Sequence, residues 1–174
     1  MGVLFVAGIH GVGKTTCCQE ASEQSKVPHY SASALIKAKR ADAIASTSKI
    51  VAHVTANQEL LVAAVERLLR ETPCFLLDGH FTVLNAAKQI EAISVEVFAR
   101  LHLDGIVLYR DEPDKIRERI VARDQADHSD IAVHQLAEEN QAKTVAAMLG
   151  INIWHLNAFD VSGLCSAIVK IWPS

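Results

Sequence analysis

Aromatic residues are scarce in this chain: five phenylalanines, two tyrosines and two tryptophans make up 5% of its 174 residues. An interior with so few rings is filled by aliphatic side chains. Half of the sequence is hydrophobic, the balance of an α/β protein rich in Val, Ile, Leu and Ala. Positive charge is not in excess either. Seventeen lysines and arginines against twenty acidic residues give a net charge of −3, which leaves no footprint for general nucleic-acid binding. No apolar run approaches the roughly 20 residues that a membrane helix needs. The four cysteines, Cys17, Cys18, Cys74 and Cys165, show no C-x-x-C spacing, and buried thiols are expected at all four. Eight histidines lie outside H-E-x-x-H and H-x-x-E-H patterns, so a structural zinc site is not expected.

Glycine is sparse as well, with eight in the chain, yet three fall close together. Residues 8–16 read Gly-Ile-His-Gly-Val-Gly-Lys-Thr-Thr, a complete G-x-x-x-x-G-K-[ST] phosphate-binding loop. The apolar run Val3-Leu4-Phe5-Val6-Ala7 precedes it and a helix-compatible stretch to about Glu23 follows. That order, buried strand, glycine loop, helix, is the context in which the pattern carries meaning. Gly8, Gly11 and Gly13 let the backbone turn tightly enough for successive N–H groups, those of His10 and Val12 among them, to face phosphate oxygens. The helix N-terminus at Lys14, Thr15 and Thr16 adds its positive dipole end. In such loops the lysine, here Lys14, reaches the β- and γ-phosphates of ATP, and the hydroxyl of Thr15 is placed to ligate Mg²⁺. The initial apolar run passes straight into the loop, so it reads as a strand and not a secretory leader, and a cytoplasmic location is expected.

Strand and helix alternate along the rest of the chain without low-complexity linkers or repeats, consistent with one domain over residues 1–174. Val27-Pro28-His29-Tyr30-Ser31 reads as a second strand, residues 33–40 as a basic helix, and residues 45–49 as a polar break. Leu61, Val65, Leu68 and Leu69 recur at helical spacing until Pro73 ends the helix. Cys74-Phe75-Leu76-Leu77-Asp78 and Gly105-Ile106-Val107-Leu108-Tyr109-Arg110 have the continuous apolar profile of buried parallel strands. A charged helix runs from Asp111 to about Ala122, a polar segment from Arg123 to Asp130, and another helix to Leu149. A strand at 151–155 and a helix at 161–172 close the pattern. The expected fold is a three-layer α/β P-loop NTPase: a parallel five-stranded sheet flanked by helices, with a short lid at about 123–130. Ligands of such sheets bind at the carboxyl ends of the strands, where the phosphate loop, Asp78 and Arg110 all fall.

Asp78 ends an apolar strand and is followed by Gly79-His80. A carboxylate there can hold Mg²⁺ through water, accept a proton from an attacking hydroxyl, or simply cap a turn. Arg117, Arg119 and Arg123 lie on or just beyond one helix, with Arg119 and Arg123 four apart on one face. Such arginines stabilise the charge of a transferring phosphoryl group; the same spacing also suits a solvated face paired with Glu112, Asp114 and Glu118. The sequence argues strongly against a GTPase switch. Asp78-Gly79-His80-Phe81 lacks the glycine of D-x-x-G, and Asn157-Ala158-Phe159-Asp160 lacks the lysine of N-K-x-D.

In order and spacing these segments resemble the nucleoside monophosphate kinases, most of all archaeal-type adenylate kinase and its compact P-loop relatives. The similarity runs through Gly-Val-Gly-Lys-Thr-Thr at 11–16 and Leu-Asp-Gly-His at 77–80, the latter similar to the Asp-x-His of the compact members. It continues through Tyr109-Arg110-Asp111-Glu112-Pro113, the Arg119–Arg123 pair that resembles the entry to the lid over ATP, and His134-Gln135 in the next helix. The resemblance implies catalytic roles for Lys14, Asp78, Arg119 and Arg123, with Thr15 and Asp78 holding Mg²⁺. It implies an acceptor site at Ser33, Lys37, Gly79 and His80, formed by helices over about 31–72. There are departures. Lys37 stands where the family brings an arginine to the acceptor phosphate, His80-Phe81-Thr82 replaces Phe-Pro-Arg, and no arginine follows Arg123.

The leading expectation is therefore an ATP- and Mg²⁺-dependent phosphotransferase moving the γ-phosphate to a nucleoside monophosphate or similar nucleotide. A kinase of another small metabolite and a partner-coupled ATPase remain open, the latter because compact relatives with Asp-x-His are associated with hydrolysis and partner binding. The expected partners are small nucleotides, with no membrane.

Overall fold

The computed structural model describes residues 2–45, 54–85, 87–122 and 130–173. The chain runs β1 (Gly2–Ala7), α1 (Lys14–Ser25), β2 (His29–Ser31), α2 (Ala32–Ala45), α3 (Val54–Glu71) and β3 (Cys74–Asp78). Then come β4 (Thr82–Leu84), β5 (Ile90–Ala92), α4 (Val95–Arg100), β6 (Leu103–Arg110), α5 (Pro113–Val121), α6 (Ile131–Leu149), β7 (Asn152–Asn157) and α7 (Val161–Ile171). Five strands form one sheet in the order β2-β3-β1-β6-β7, every neighbouring pair parallel.

All six residues of β1 are buried, as its uninterrupted apolar sequence requires of a central parallel strand. Alternate side chains leave opposite faces of a strand, and β1 feeds two cores by that rule. Val3, Phe5 and Ala7 join residues of α3, α4 and α6 on one face. Leu4 and Val6 join α1, α5 and α7 on the other. Helices on both faces make the three layers expected. The helix ends follow their local chemistry. Asp130 caps α6 by accepting hydrogen bonds from Ala132 N and Val133 N at 3.0 and 3.2 Å, and Gly150 ends it with φ 65°.

Several features differ from the sequence reading. β2 is shorter, spanning residues 29–31, α2 continues to Ala45, and β6 starts at Leu103. The segment after Asp78, read as a turn, continues into an antiparallel hairpin of β4 and β5 and the short helix α4. No glycine marks the hairpin. Asn85 makes it instead, its side-chain oxygen accepting from the amides of Ala87 and Gln89. Cys17 and Cys18 are buried, whereas Cys74 and Cys165 are only partly so. The expectation of four buried thiols fails because Cys74 opens its strand and Cys165 lies against the Gln24 side chain near the surface of α7. Arg123 and the rest of the lid up to residue 129 lie outside the described residues, as does most of the polar break at 45–49. Among the described residues no helix is long and apolar enough to cross a membrane.

Leu76, fully buried on β3 between β2 and β1, tests this packing. We expect Leu76→Ala to cost about 2–5 kcal/mol, measured as a lower urea midpoint with an unchanged slope. A cost under about 1 kcal/mol would contradict the packing described.

Candidate active site

The loop from Gly8 to Gly13 joins the central strand to α1. Its glycines take φ values of 143°, 82° and 98° at Gly8, Gly11 and Gly13, conformations that side chains resist. Space forbids side chains too: a Cβ on Gly11 would lie 2.8 Å from Ile120, and one on Gly13 2.8 Å from Phe159. Ile9 and Val12 are buried and anchor the loop in the core. Gly13 caps α1 without a side-chain hydrogen bond, which suits first-turn amides that receive an anion. His10, Thr15 and Thr16 are exposed along this edge.

The buried polar and charged residues described are Lys14, Asp78, Thr82, His134 and Glu138, and all lie in this one region. Lys14 Nζ is 3.3 Å from His80 Nε2. Burial pulls the Lys14 ammonium below its ordinary pKa, opposed by the carboxylates of Asp78 and Glu138. Burial and then the charge of Lys14 hold the His80 imidazole well below its usual value. A neutral imidazole therefore accepts from the ammonium. Glu138 reaches the turn from α6 and accepts three hydrogen bonds, from Phe81 N at 2.8 Å, Thr82 N at 2.9 Å and Thr82 Oγ1 at 2.6 Å. Burial pushes its carboxyl upward, and these donors oppose it. With its proton committed to Glu138, the Thr82 hydroxyl accepts from His134 Nε2 at 3.0 Å.

Asp78 sits at the end of β3 with Oδ2 2.6 Å from His29 Nε2. Thr15 and Asp78 are hard oxygen donors on neighbouring elements of the same sheet edge. That donor set fits Mg²⁺, which takes one or two protein ligands and completes its shell with water and phosphate oxygens.

Arg119 is drawn to the loop. Its Nη1 donates to Gly11 O at 3.4 Å, its Nη2 to Asp111 Oδ2, and its guanidinium lies 4.8 Å over the Phe159 ring. Burial acts to raise the Asp111 carboxyl, yet the hydrogen bonds from Arg119 and the Glu112 amide, with the charges of Arg119 and Lys115, together outweigh it and leave the group below its ordinary pKa. Gln135 clamps Asp111 further, donating to its carbonyl at 2.9 Å and accepting from its amide at 3.2 Å. Arg117 stays on the solvated face, paired with Asp114. Arg110 points to Glu139 at 3.7 Å across the surface.

A cavity of about 360 Å³ opens beside Asp78. Phe5, Leu61, Val97 and Phe98 build apolar walls, and Ser33, Asp78, Gly79 and His80 supply polar groups. Lys37 is exposed on α2 and does not line it. Arg40, one turn further, donates to Asn57 at 2.5 Å, and Asn57 does line the cavity. Arg40 Nε is buried with no hydrogen-bond partner among the described residues.

Sequence reasoning missed Glu138, Thr82, His29 and Phe159. For Glu138 a signal existed. Ile131, His134, Glu138, Ala142 and Val145 form the buried stripe of α6, so a histidine and a glutamate occupy helical positions that otherwise hold apolar residues.

A glycine loop ending the central parallel strand, with its lysine buried at the start of the next helix, defines a nucleotide-binding P-loop protein. The chain belongs to an AAA domain family, whose sequence profile matches residues 7–137. Its fold is similar to that of a gluconokinase from Sinorhizobium meliloti 1021, with TM-score 0.52 and 14% identity over 98% of this chain and 90% of that one. An uncharacterized protein from Eubacterium ventriosum ATCC 27560 superposes with TM-score 0.48 and 12% identity over 98% of this chain and 97% of that one. No curated protein sequence matches the chain.

Removing Glu138 and removing Lys14 have different consequences. Glu138→Ala orphans two buried amides and a hydroxyl, at an expected cost of about 2–4 kcal/mol. Lys14→Ala removes a desolvated cation and leaves the fold intact, within about 1 kcal/mol of the parent. Chemical denaturation of both variants checks this; equal losses would contradict it.

Proposed function

We propose that the protein is an ATP- and Mg²⁺-dependent phosphotransferase that moves the γ-phosphate of ATP to a small nucleotide-like acceptor. The observation that carries this reading is one of connection. His80, the partner of Lys14 in the phosphate loop, and Asp78, the strand-end carboxylate, both line the cavity suited to an acceptor. Donor and acceptor phosphates would meet there.

In this reading the loop amides and Lys14 take the ATP phosphates, and Lys14 leaves His80 to do so. Mg²⁺, held by Thr15 and Asp78, neutralises phosphate charge when bound. Asp78 is placed to accept a proton where the acceptor is a hydroxyl. A flat base at this edge would stack on the Arg119–Phe159 pair, and Arg119 would extend toward the phosphates. The apolar cavity walls suit the body of a nucleotide. Arg40, held by Asn57 and with Nε unpaired, is better placed than Lys37 to answer an acceptor phosphate. A second reading, a kinase of a compact uncharged metabolite, is favoured because no cationic side chain lines the cavity among the described residues.

ATP consumption measured with AMP, other nucleoside monophosphates, nucleosides and water alone separates these readings. Preference for a monophosphate, with KM for it raised in Arg40→Ala and unchanged in Lys37→Ala, supports the first. Turnover with nucleosides or other neutral alcohols only supports the second, and turnover with water alone supports an ATPase. In every case Lys14→Ala should abolish turnover. Arg119→Ala should lower kcat by about a thousandfold or more with little change in thermal stability. An unimpaired Arg119→Ala protein would return that residue to a surface ion-pair role.

A further inference from the structure

Cys18, His29 and Asp78 come from three separate elements, α1, β2 and β3, and their ligand atoms all lie within 4.8 Å of one another. Cys18 and Asp78 are buried and His29 is partly so, its side chain 11% exposed. We propose that this cluster binds a thiophilic divalent cation of the zinc class, with the Cys18 thiolate, His29 Nε2 and the Asp78 carboxylate as its protein ligands.

The donor set is the first support. One sulfur, one imidazole nitrogen and one carboxylate oxygen match Zn²⁺ in a three-ligand site with an open fourth position, whereas Mg²⁺ and Ca²⁺ take oxygen. Charge is the second. A dication with one thiolate, one carboxylate and a neutral imidazole sums to zero, the condition under which buried ionic groups are tolerated. Geometry is the third. Zinc bonds of about 2.0–2.3 Å ask ligand atoms already within 4.8 Å of one another to close around the ion, while His29 and Asp78 part slightly from their 2.6 Å contact. The fourth is access. Asp78 lines the 360 Å³ cavity and the His29 side chain is 11% exposed, so the cluster meets solvent through these two ligands, with Cys18 buried behind them.

Binding breaks the Cys18 S–H bond and releases that proton to solvent, shifts the His29 Nε2 proton that bonds to Asp78 to Nδ1, and forms bonds from sulfur, Nε2 and the carboxylate to the metal; no electrons are transferred. Burial raises the Cys18 thiol strongly, with the Asp78 charge next and Lys14, one helical turn away, opposing both. Metal affinity falls in acid because the ligand sulfur must be deprotonated. The ligands are 11 and 49 residues apart in sequence (18 to 29, 29 to 78), so motif spacing does not reveal them. Occupancy would also take Asp78 from Mg²⁺ and oppose phosphotransfer. That consequence rests on the function proposed above, whereas the site itself does not.

Cobalt(II) titration of the metal-free protein, under anaerobic conditions, is the test. We expect one equivalent to give a near-ultraviolet sulfur-to-cobalt charge-transfer band and visible bands of four-coordinate cobalt. Zn²⁺ should abolish both; millimolar Mg²⁺ should not. Cys18→Ser should lose the near-ultraviolet band and Cys17→Ser should keep it, with folding of each checked by circular dichroism. His29→Ala should weaken cobalt binding by about tenfold or more, and this variant decides the matter where Cys18→Ser does not fold. No sulfur band in the parent, a band that survives Cys18→Ser, or unchanged affinity in His29→Ala would each overturn the site.

Discussion

A buried carboxylate holding two backbone amides is the interaction on which the rest of this site depends. Placing Glu138 in the interior, at 1% exposure, costs solvation that only hydrogen bonds recover. The amides of Phe81 and Thr82 and the Thr82 hydroxyl recover it. In doing so they fasten the turn after β3 to α6. One side of that turn carries His80 to Lys14. The other carries Phe81 into an aromatic group with Phe5 and Phe98, at centroid distances of 5.0 and 4.6 Å. Core packing and site geometry thus share one anchor, and neither can shift without the other.

The same economy governs the far side of the loop. Arg119 touches the loop carbonyl of Gly11, the carboxylate of Asp111 and the ring of Phe159, which come from three distant parts of the sequence. Gln135 holds Asp111 through its backbone, while His134, the adjacent residue on α6, holds Thr82. Neighbours on one helix therefore brace the two flanks of the phosphate loop in different directions. Phe159 takes a φ of 65°, unusual for a bulky residue, with its ring beneath Arg119.

The loop and five strands were legible in the sequence because their signals are local. Val3–Ala7 and Cys74–Asp78 are continuous apolar runs, and Gly8, Gly11 and Gly13 are fixed by the turn they make. The hairpin after Asp78 was not legible, because its turn relies on the Asn85 side chain and not on glycine. The resemblance sets Lys37 at the acceptor site because it stands where the family has an arginine. Helical phase instead leaves it exposed, one turn before Arg40. His29 gave no signal at all. Its contact with Asp78 spans 49 residues and arises from β2 and β3 lying side by side, which no spacing rule encodes.

The strand order has a consequence for how the chain is made. β1 is synthesised before both of its partners, yet it lies in the middle of the sheet, between β3 and β6. Neither neighbour exists until residues 74–78 and 103–110 have been synthesised. Translation at roughly 5–20 residues per second leaves that six-residue apolar strand without partners for several seconds or longer. Its pairings are among the most distant in the chain, the kind that form slowly because a long loop must close first. The phosphate loop leaves the end of this strand, so its strand side is fixed only by pairings to β3 and β6 that lie far downstream.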